Sequence, residues 1–125
     1  MLLLDTSFLV EWEAELAGRR RGPARDFLAL RTAEPFGISL VAIAEFAEGF
    51  EDLRLLEAFL RPLRVLQLSR AIAYRVAALQ SGLPQRLGEN DAWIAATALT
   101  YDATLVGRDR AFERVPRLKY HRLER

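Results

Sequence analysis

The stretch MLLLDTS, Met1 to Ser7, decides how the chain is read. Three consecutive leucines, Leu2 to Leu4, lack the in-out alternation of a half-exposed strand and fit a short strand buried on both faces, as in the middle of a parallel sheet. Asp5 closes that strand. Ser7 is placed to cap a helix that runs through Phe8, Leu9, Trp12 and Leu16 to Gly18. A carboxylate at the end of a buried strand is costly unless it meets a proton, a basic partner or a cation, so Asp5 is the first candidate for chemistry.

Outward from this stretch, strands and helices alternate. Gly18 to Pro23 reads as a connector, followed by a helix from Ala24 to Ala33. Phe36 to Leu40 reads as a strand, with Ser39 capping a helix that carries Val41, Ala44, Glu45 and Glu48, and a further helix extends to Leu60. Arg64 to Leu68 alternates like a strand, and Ser69 opens a helix ending before Gly82 and Pro84. Asn90 is placed to cap a helix from Asp91 to Tyr101, which Asp102 ends in a turn. Ala103 to Val106 is the next strand, and Leu118 to Leu123 a weaker one at an edge. The alternation predicts an α/β fold, three layers α/β/α with a mainly parallel central sheet, over one domain at 1–125.

Three further acids adjoin apolar sequence as Asp5 does: Glu45 inside SLVAIAEF, Asp91 opening DAWIAATAL, and Asp109 just past TLVG. In a doubly wound sheet the carboxyl ends of the strands and the amino ends of the following helices share one edge, where such folds place their ligands. Topology therefore gathers all four acids at one rim. Clustered carboxylates repel one another unless a cation compensates. Oxygen-only donors favour Mg²⁺ or Mn²⁺, and a water-bearing divalent ion suits phosphodiester hydrolysis.

The bulk composition narrows the alternatives. With 125 residues, 51% of them hydrophobic, the chain can bury its own core without staples. It has no cysteine and one histidine, His121, which excludes disulfides, thiolate zinc sites and a cysteine nucleophile, and leaves Ser-His-Asp chemistry poorly supplied. No apolar run approaches the roughly 20 residues that span a bilayer, and the start does not resemble a signal peptide, so a cytoplasmic protein with no membrane contact is expected. A net charge of +1 does not hold nucleic acid by bulk electrostatics, so any such binding is local.

On the segments LLLDTS, SLVAIAEF, NDAWIAATAL and TLVGRDRAF the chain resembles a PIN domain, and in length and layout the VapC-type ribonuclease toxins of bacterial toxin-antitoxin pairs. The likeness covers essentially the whole chain. It implies that Asp5, Glu45, Asp91 and Asp109 form the family's acidic quartet, the catalytic and metal-holding residues, with Thr6 or Ser7 in support. It also implies Mg²⁺ or Mn²⁺, an RNA substrate such as tRNA or rRNA, a small antitoxin partner of VapB type, and a homodimer. One departure stands out: many members carry a threonine two residues before the fourth acid, where this chain has Gly107.

Plainer readings exist for each residue. Asp91 alone is a first-turn acid favoured by the helix dipole by about 0.3–1 kcal/mol. Glu45 could pair with an arginine, and Asp109 could be a turn residue paired with Arg108 or Arg110. Glu11, Glu13 and Glu15, like Glu48, Glu51 and Asp52, read as surface charge, and Arg19 to Arg21 as a solvated connector. Trp12, Phe46, Phe50, Phe59 and Trp93 read as core or interface aromatics, and His121 as a strand residue. A metal-dependent endoribonuclease acting as a toxin is the reading that uses all four acids. The alternative is a non-catalytic PIN-like module that binds RNA or regulates a partner. A phosphoacceptor domain wants a lysine near the last strands, and Lys119 is poorly placed for it. No G-x-G-x-x-G follows the first strand to hold a dinucleotide.

Overall fold

In the computed structural model, which describes residues 1–123, the leucine run forms β1 (Leu2–Leu4), every residue of it buried. The last two positions of the expected 1–125 domain lie outside the described residues. The helix that follows, α1 (Thr6–Ala17), is capped by Asp5 and not by Ser7. Ser7 is already inside the first turn, and its N–H donates back to the Asp5 carboxylate at 3.3 Å. α2 (Pro23–Ala29) opens on a proline, whose fixed φ suits a first turn, and stops short of the expected Ala33.

β2 (Phe36–Ser39) runs into α3 (Leu40–Ala47), where Ser39 is the expected cap and its hydroxyl accepts from the Ala42 N–H at 3.1 Å. α4 (Leu53–Leu60), β3 (Arg64–Leu66) and α5 (Arg70–Gly82) follow, with Ser69 capping α5 through the Ile72 N–H at 3.2 Å. α6 (Glu89–Thr100) differs from expectation at its start: Gly88 holds the cap position without a side-chain bond, and Asn90 lies in the first turn, free to face elsewhere. Asp102 ends this helix at φ 54°, a left-handed conformation that aspartate tolerates better than most residues. β4 (Thr104–Gly107), a 3-10 helix at Arg110–Arg114 and β5 (Tyr120–Arg122) complete the described chain.

The five strands lie in the order β3-β2-β1-β4-β5, and every pairing is parallel. The expected mainly parallel sheet is thus wholly parallel, and β1 is its middle strand. From β1 the chain steps outward through β2 to β3, then returns past β1 to β4. The connecting helices pack on one another as they go, α1 against α2 and α3, α5 against α6, and α3 against α6. The reversal places a switch point between the carboxyl ends of β1 and β4, where Asp5 and the turn after Gly107 emerge.

Leu3, Leu4, Phe8, Leu9, Ile38, Ile72, Ile94, Leu105, Val106 and Phe112 are essentially inaccessible to solvent and form the middle of the core. α6 buries Ala92, Ala95, Ala96 and Ala98, small residues that let it pack closely. Trp12, Phe46, Phe50 and Phe59 form an aromatic cluster joining α1, α3 and α4, with Trp12 and Phe59 centroids 4.9 Å apart and Phe46 and Phe59 5.2 Å apart. His121 is an exposed strand residue whose ring lies 4.8 Å from that of Phe27. Among the described residues no helix is long and apolar enough to cross a membrane.

The expectation that Glu11 and Glu15 are surface charges is wrong. Glu11 is 6% exposed and Glu15 fully buried. Both carboxylates have work inside. Glu15 accepts from the N–H groups of Ala24 at 3.0 Å and Arg25 at 2.9 Å, capping the start of α2 from another helix. Glu11 accepts from Arg108 at 3.1 Å and faces Arg20 at 3.7 Å. Spaced one turn apart, the two acids also meet each other. Burial pushes Glu15 up, but the hydrogen bond with Glu11 and the two backbone donors outweigh it and hold Glu15 low. Glu11 is raised by its hydrogen bond to Glu15 and then by burial, while the charges of Arg108 and Arg20 pull it back down in part.

Candidate functional site

Asp5 is stitched to the end of β4. Its backbone N–H donates to the Val106 carbonyl at 2.9 Å. The Ser7 hydroxyl donates to Asp5 Oδ2 at 2.7 Å and accepts from the Arg108 N–H at 2.9 Å, so one serine orients the acid and fixes the neighbouring strand end. The Asp5 side chain fits because Gly107 beside it has none; any β-carbon there would crowd both Asp5 and the Ser7 hydroxyl. Burial raises the Asp5 carboxyl above its ordinary range, hydrogen bonds from Ser7 and Thr6 pull it back in part, and the charge on Glu45 adds to the rise.

Glu45 reaches the same rim from α3. Thr6 Oγ1 donates to its Oε1 at 2.6 Å and Asn90 Nδ2 to its Oε2 at 3.1 Å, so neutral donors from α1 and α6 hold both oxygens. Among the described residues no arginine takes that place. Asp91, in the first turn of α6, is pushed up to about 6, first by partial burial and then by the charges of Asp5, Asp109 and Glu45. Asp109 caps the 3-10 helix through the Ala111 N–H at 2.8 Å, and its carbonyl accepts from the Tyr120 hydroxyl at 2.7 Å. Arg108, which the plainer reading of Asp109 offers as its partner, turns to Glu11 instead.

The four acids singled out in the sequence thus share one electrostatic neighbourhood centred on Asp91. They do not form a closed cage: among the described residues no three acid or histidine side chains stand close enough together to hold a metal ion. The donor set nonetheless fits a hydrated hard dication. It is all oxygen, it carries repulsion that raises Asp91, and Mg²⁺ keeps several waters that bridge to carboxylates.

Two residues at the rim were not legible as such. Asn90 reads as a helix cap, and only the approach of α3 to α6 turns its amide onto Glu45. Tyr120 carries no sequence signal. It arrives because β5 pairs with β4, and its phenol is raised by burial, then by the charges of Asp5 and Asp109. Thr6 and Ser7, the expected supports, do hold two of the acids.

A parallel α/β sheet with carboxylates gathered at its switch point defines a class of protein with an acid-lined site at the carboxyl edge. Within that class the family is clear: the model of the PIN domain matches residues 2–118, and the chain belongs to the PIN domain family. No curated protein matches its sequence. Among solved structures, it is similar to VapBC2 from Rickettsia felis bound to a DNA fragment from their promoter, with 22% identity, TM-score 0.80 and 98% of each chain covered. It is likewise similar to FitAcB from Neisseria gonorrhoeae, at 22% identity and TM-score 0.78 over 96% of each chain. A toxin-antitoxin complex from Klebsiella pneumoniae gives 27% identity and TM-score 0.69 over 88% of each chain.

Proposed function

We propose that this PIN-like domain is a metal-dependent endoribonuclease and the toxin of a toxin-antitoxin pair, cutting RNA phosphodiester bonds at the rim formed by Asp5, Glu45, Asp91 and Asp109. The observation that carries this reading is the gathering of Asp5, Glu45, Asp91 and Asp109 at a sheet switch point, where burial and then the charges of the other three raise Asp91, like charges that a bound dication would relieve. Asp5, Glu45, Asp91 and Asp109 would hold Mg²⁺ or Mn²⁺, in part through water. Such an ion lowers the pKa of attacking water and neutralises charge on phosphate.

The chain's own residues supply orientation. Ser7 aims Asp5, while Thr6 and Asn90 aim Glu45 from opposite sides. Removing such partners from metal sites typically costs about 10- to 100-fold in affinity or activity. Asp109 is exposed, so it is the acid best placed to meet an incoming RNA.

A cleft of about 650 Å³ opens beside Glu45, lined by Val10, Phe46, Phe50 and Leu55 and rimmed by Glu13, Glu51 and Asp52. Apolar floor and acidic rim suit a basic amphipathic segment, which supports an antitoxin of VapB type docking next to the acids. Val65 on the edge strand β3 and Leu68 just past it are exposed apolar side chains that a second copy would cover, which supports the homodimer.

Purified protein incubated with tRNA or rRNA and Mg²⁺ is expected to cut it, to stop with chelator, and to lose cleavage in Asp5→Asn with folding preserved. RNA binding without metal-dependent turnover would favour the non-catalytic PIN-like module instead. An Asp5→Asn variant as active as wild type would overturn the site.

A further inference from the structure

Arg108 is held at both ends. Its backbone N–H donates to the Ser7 hydroxyl at 2.9 Å, and its guanidinium reaches back over α1 to the buried Glu11 carboxylate at 3.1 Å. On one side of it Gly107 lies under Asp5; on the other, the Asp109 carbonyl accepts from Tyr120 at 2.7 Å. The backbone leaving β4 is therefore pinned before and after Arg108, the residue that links the strand to Asp109.

We propose that Arg108, gripped by Glu11, is a positioning residue for Asp109, and that the Glu11–Arg108 pair is a built part of the acidic site and not a surface ion pair. This rests on the nuclease reading above.

Three features separate this pair from the exposed ion pairs among the described residues. The Glu11 side chain is 7% exposed, whereas the acids of the Arg21–Asp26 and Arg86–Glu89 pairs are 61% and 65% exposed. An acid so buried is strongly destabilising without its cation, so Glu11 fixes where Arg108 goes. Glu11 is itself braced: Glu15 one turn on meets it and is anchored by the α2 backbone, and Arg20 stands on its second oxygen at 3.7 Å. The line of contacts runs from α2 through Glu15 and Glu11 to Arg108, and from there to Ser7 and Asp5. It also explains why an arginine next to an acid does not neutralise it. With its guanidinium drawn to Glu11, Arg108 leaves the Asp109 carboxylate available at the rim.

The test is steady-state cleavage of a single-stranded RNA oligonucleotide in Mn²⁺ by the full chain. The variants are Arg108→Lys, Glu11→Gln and the two combined, with Arg21→Ala, which breaks the exposed pair to Asp26, as control. Lysine keeps the charge but loses the fork, and glutamine keeps the shape but loses the charge. Each single variant is expected to lower kcat by about 10- to 100-fold with KM little changed. The double variant should be no slower than the worse single one, because both break the same link. Arg21→Ala should match wild type. If Arg108→Lys raises KM and leaves kcat unchanged while Glu11→Gln cuts normally, Arg108 contacts RNA and the proposal is overturned. Wild-type rates in both single variants overturn it equally. Should Glu11→Gln fail to fold by circular dichroism, the kcat and KM of Arg108→Lys alone decide. A wild-type protein that cuts no RNA with any divalent ion contradicts the nuclease reading itself, an outcome separate from the others.

Discussion

Gly107 lies so close to Asp5 that a β-carbon on it would fall 3.0 Å from the Asp5 Cβ and 3.0 Å from Oδ2. Position 107 is therefore closed to a side chain by the acid itself, and the hydroxyl of the serine that orients that acid would lie only 3.1 Å from such a β-carbon. The Ser7 hydroxyl orients the acid by donating to its Oδ2 at 2.7 Å. Gly107→Ala is expected to cost about 1–3 kcal/mol by overpacking and to slow cleavage; Gly107→Thr should be worse on both counts. Thermal denaturation and a cleavage assay check this, and a threonine variant that gains activity would show that the strand ends have room.

Asp91 supplies a pH dependence with a definite sign. Its ordinary value is 3.8 and its folded value about 6, so the folded chain binds this proton more tightly than the unfolded chain. The resulting stability is full below about 4 and is lost as pH rises through about 6. Metal-free Asp91→Asn should melt higher than wild type at pH 8, and the gap should close by pH 4. Added Mg²⁺ should raise the melting temperature of wild type at pH 8 more than that of the variant. Equal melting temperatures at both pH values would mean that Asp91 does not feel the other acids.

Glu15 caps a helix to which it does not belong. Glu15→Ala leaves the buried N–H of Ala24 without its acceptor, and a loss of about 1–3 kcal/mol is expected. Gly22→Ala should be similarly harmful, since its β-carbon would lie 2.5 Å from the Glu15 carboxylate. Urea denaturation of both variants checks the pair; a neutral Gly22→Ala would show that Glu15 moves aside easily.

The sheet and the acids were legible in the sequence because both rest on local pattern: an unbroken leucine run ending in Asp5, and acids placed at strand ends and helix starts. Topology did the remainder, since alternating strands and helices put those ends on one edge. Residues whose roles depend on a distant partner were not legible. Glu11 and Glu15 look like two members of a solvated glutamate row, and only the return of the α2 backbone and of Arg108 to α1 gives them reason to be inside. Asn90 was misread for the same cause, having a good local role as a cap and a better distant one on Glu45. The strand and helix limits shifted by a few residues where caps compete, as at Asp5 and Ser7.

The cleft beside Glu45 gives a separable prediction. Leu55 lines it and is 63% exposed, outside the core and away from the acids' hydrogen bonds. Leu55→Arg should weaken binding of a basic antitoxin, by removing apolar contact and adding like charge, while RNA cleavage by the free protein stays at the wild-type rate. Co-purification with the product of the adjacent reading frame measures the first effect. Undiminished co-purification would move the docking surface elsewhere.

The most direct measurement is a crystal structure of the protein grown with Mn²⁺, with anomalous data collected at the manganese edge. A peak at the carboxyl edge of the sheet, coordinated directly or through water by Asp5, Asp91 and at least one of Glu45 and Asp109, is the expected result. Saturating Mn²⁺ with no peak there, or with the ion bound only to surface acids such as Glu51 and Asp52, would contradict a shared cation site and the hydrolytic chemistry built on it.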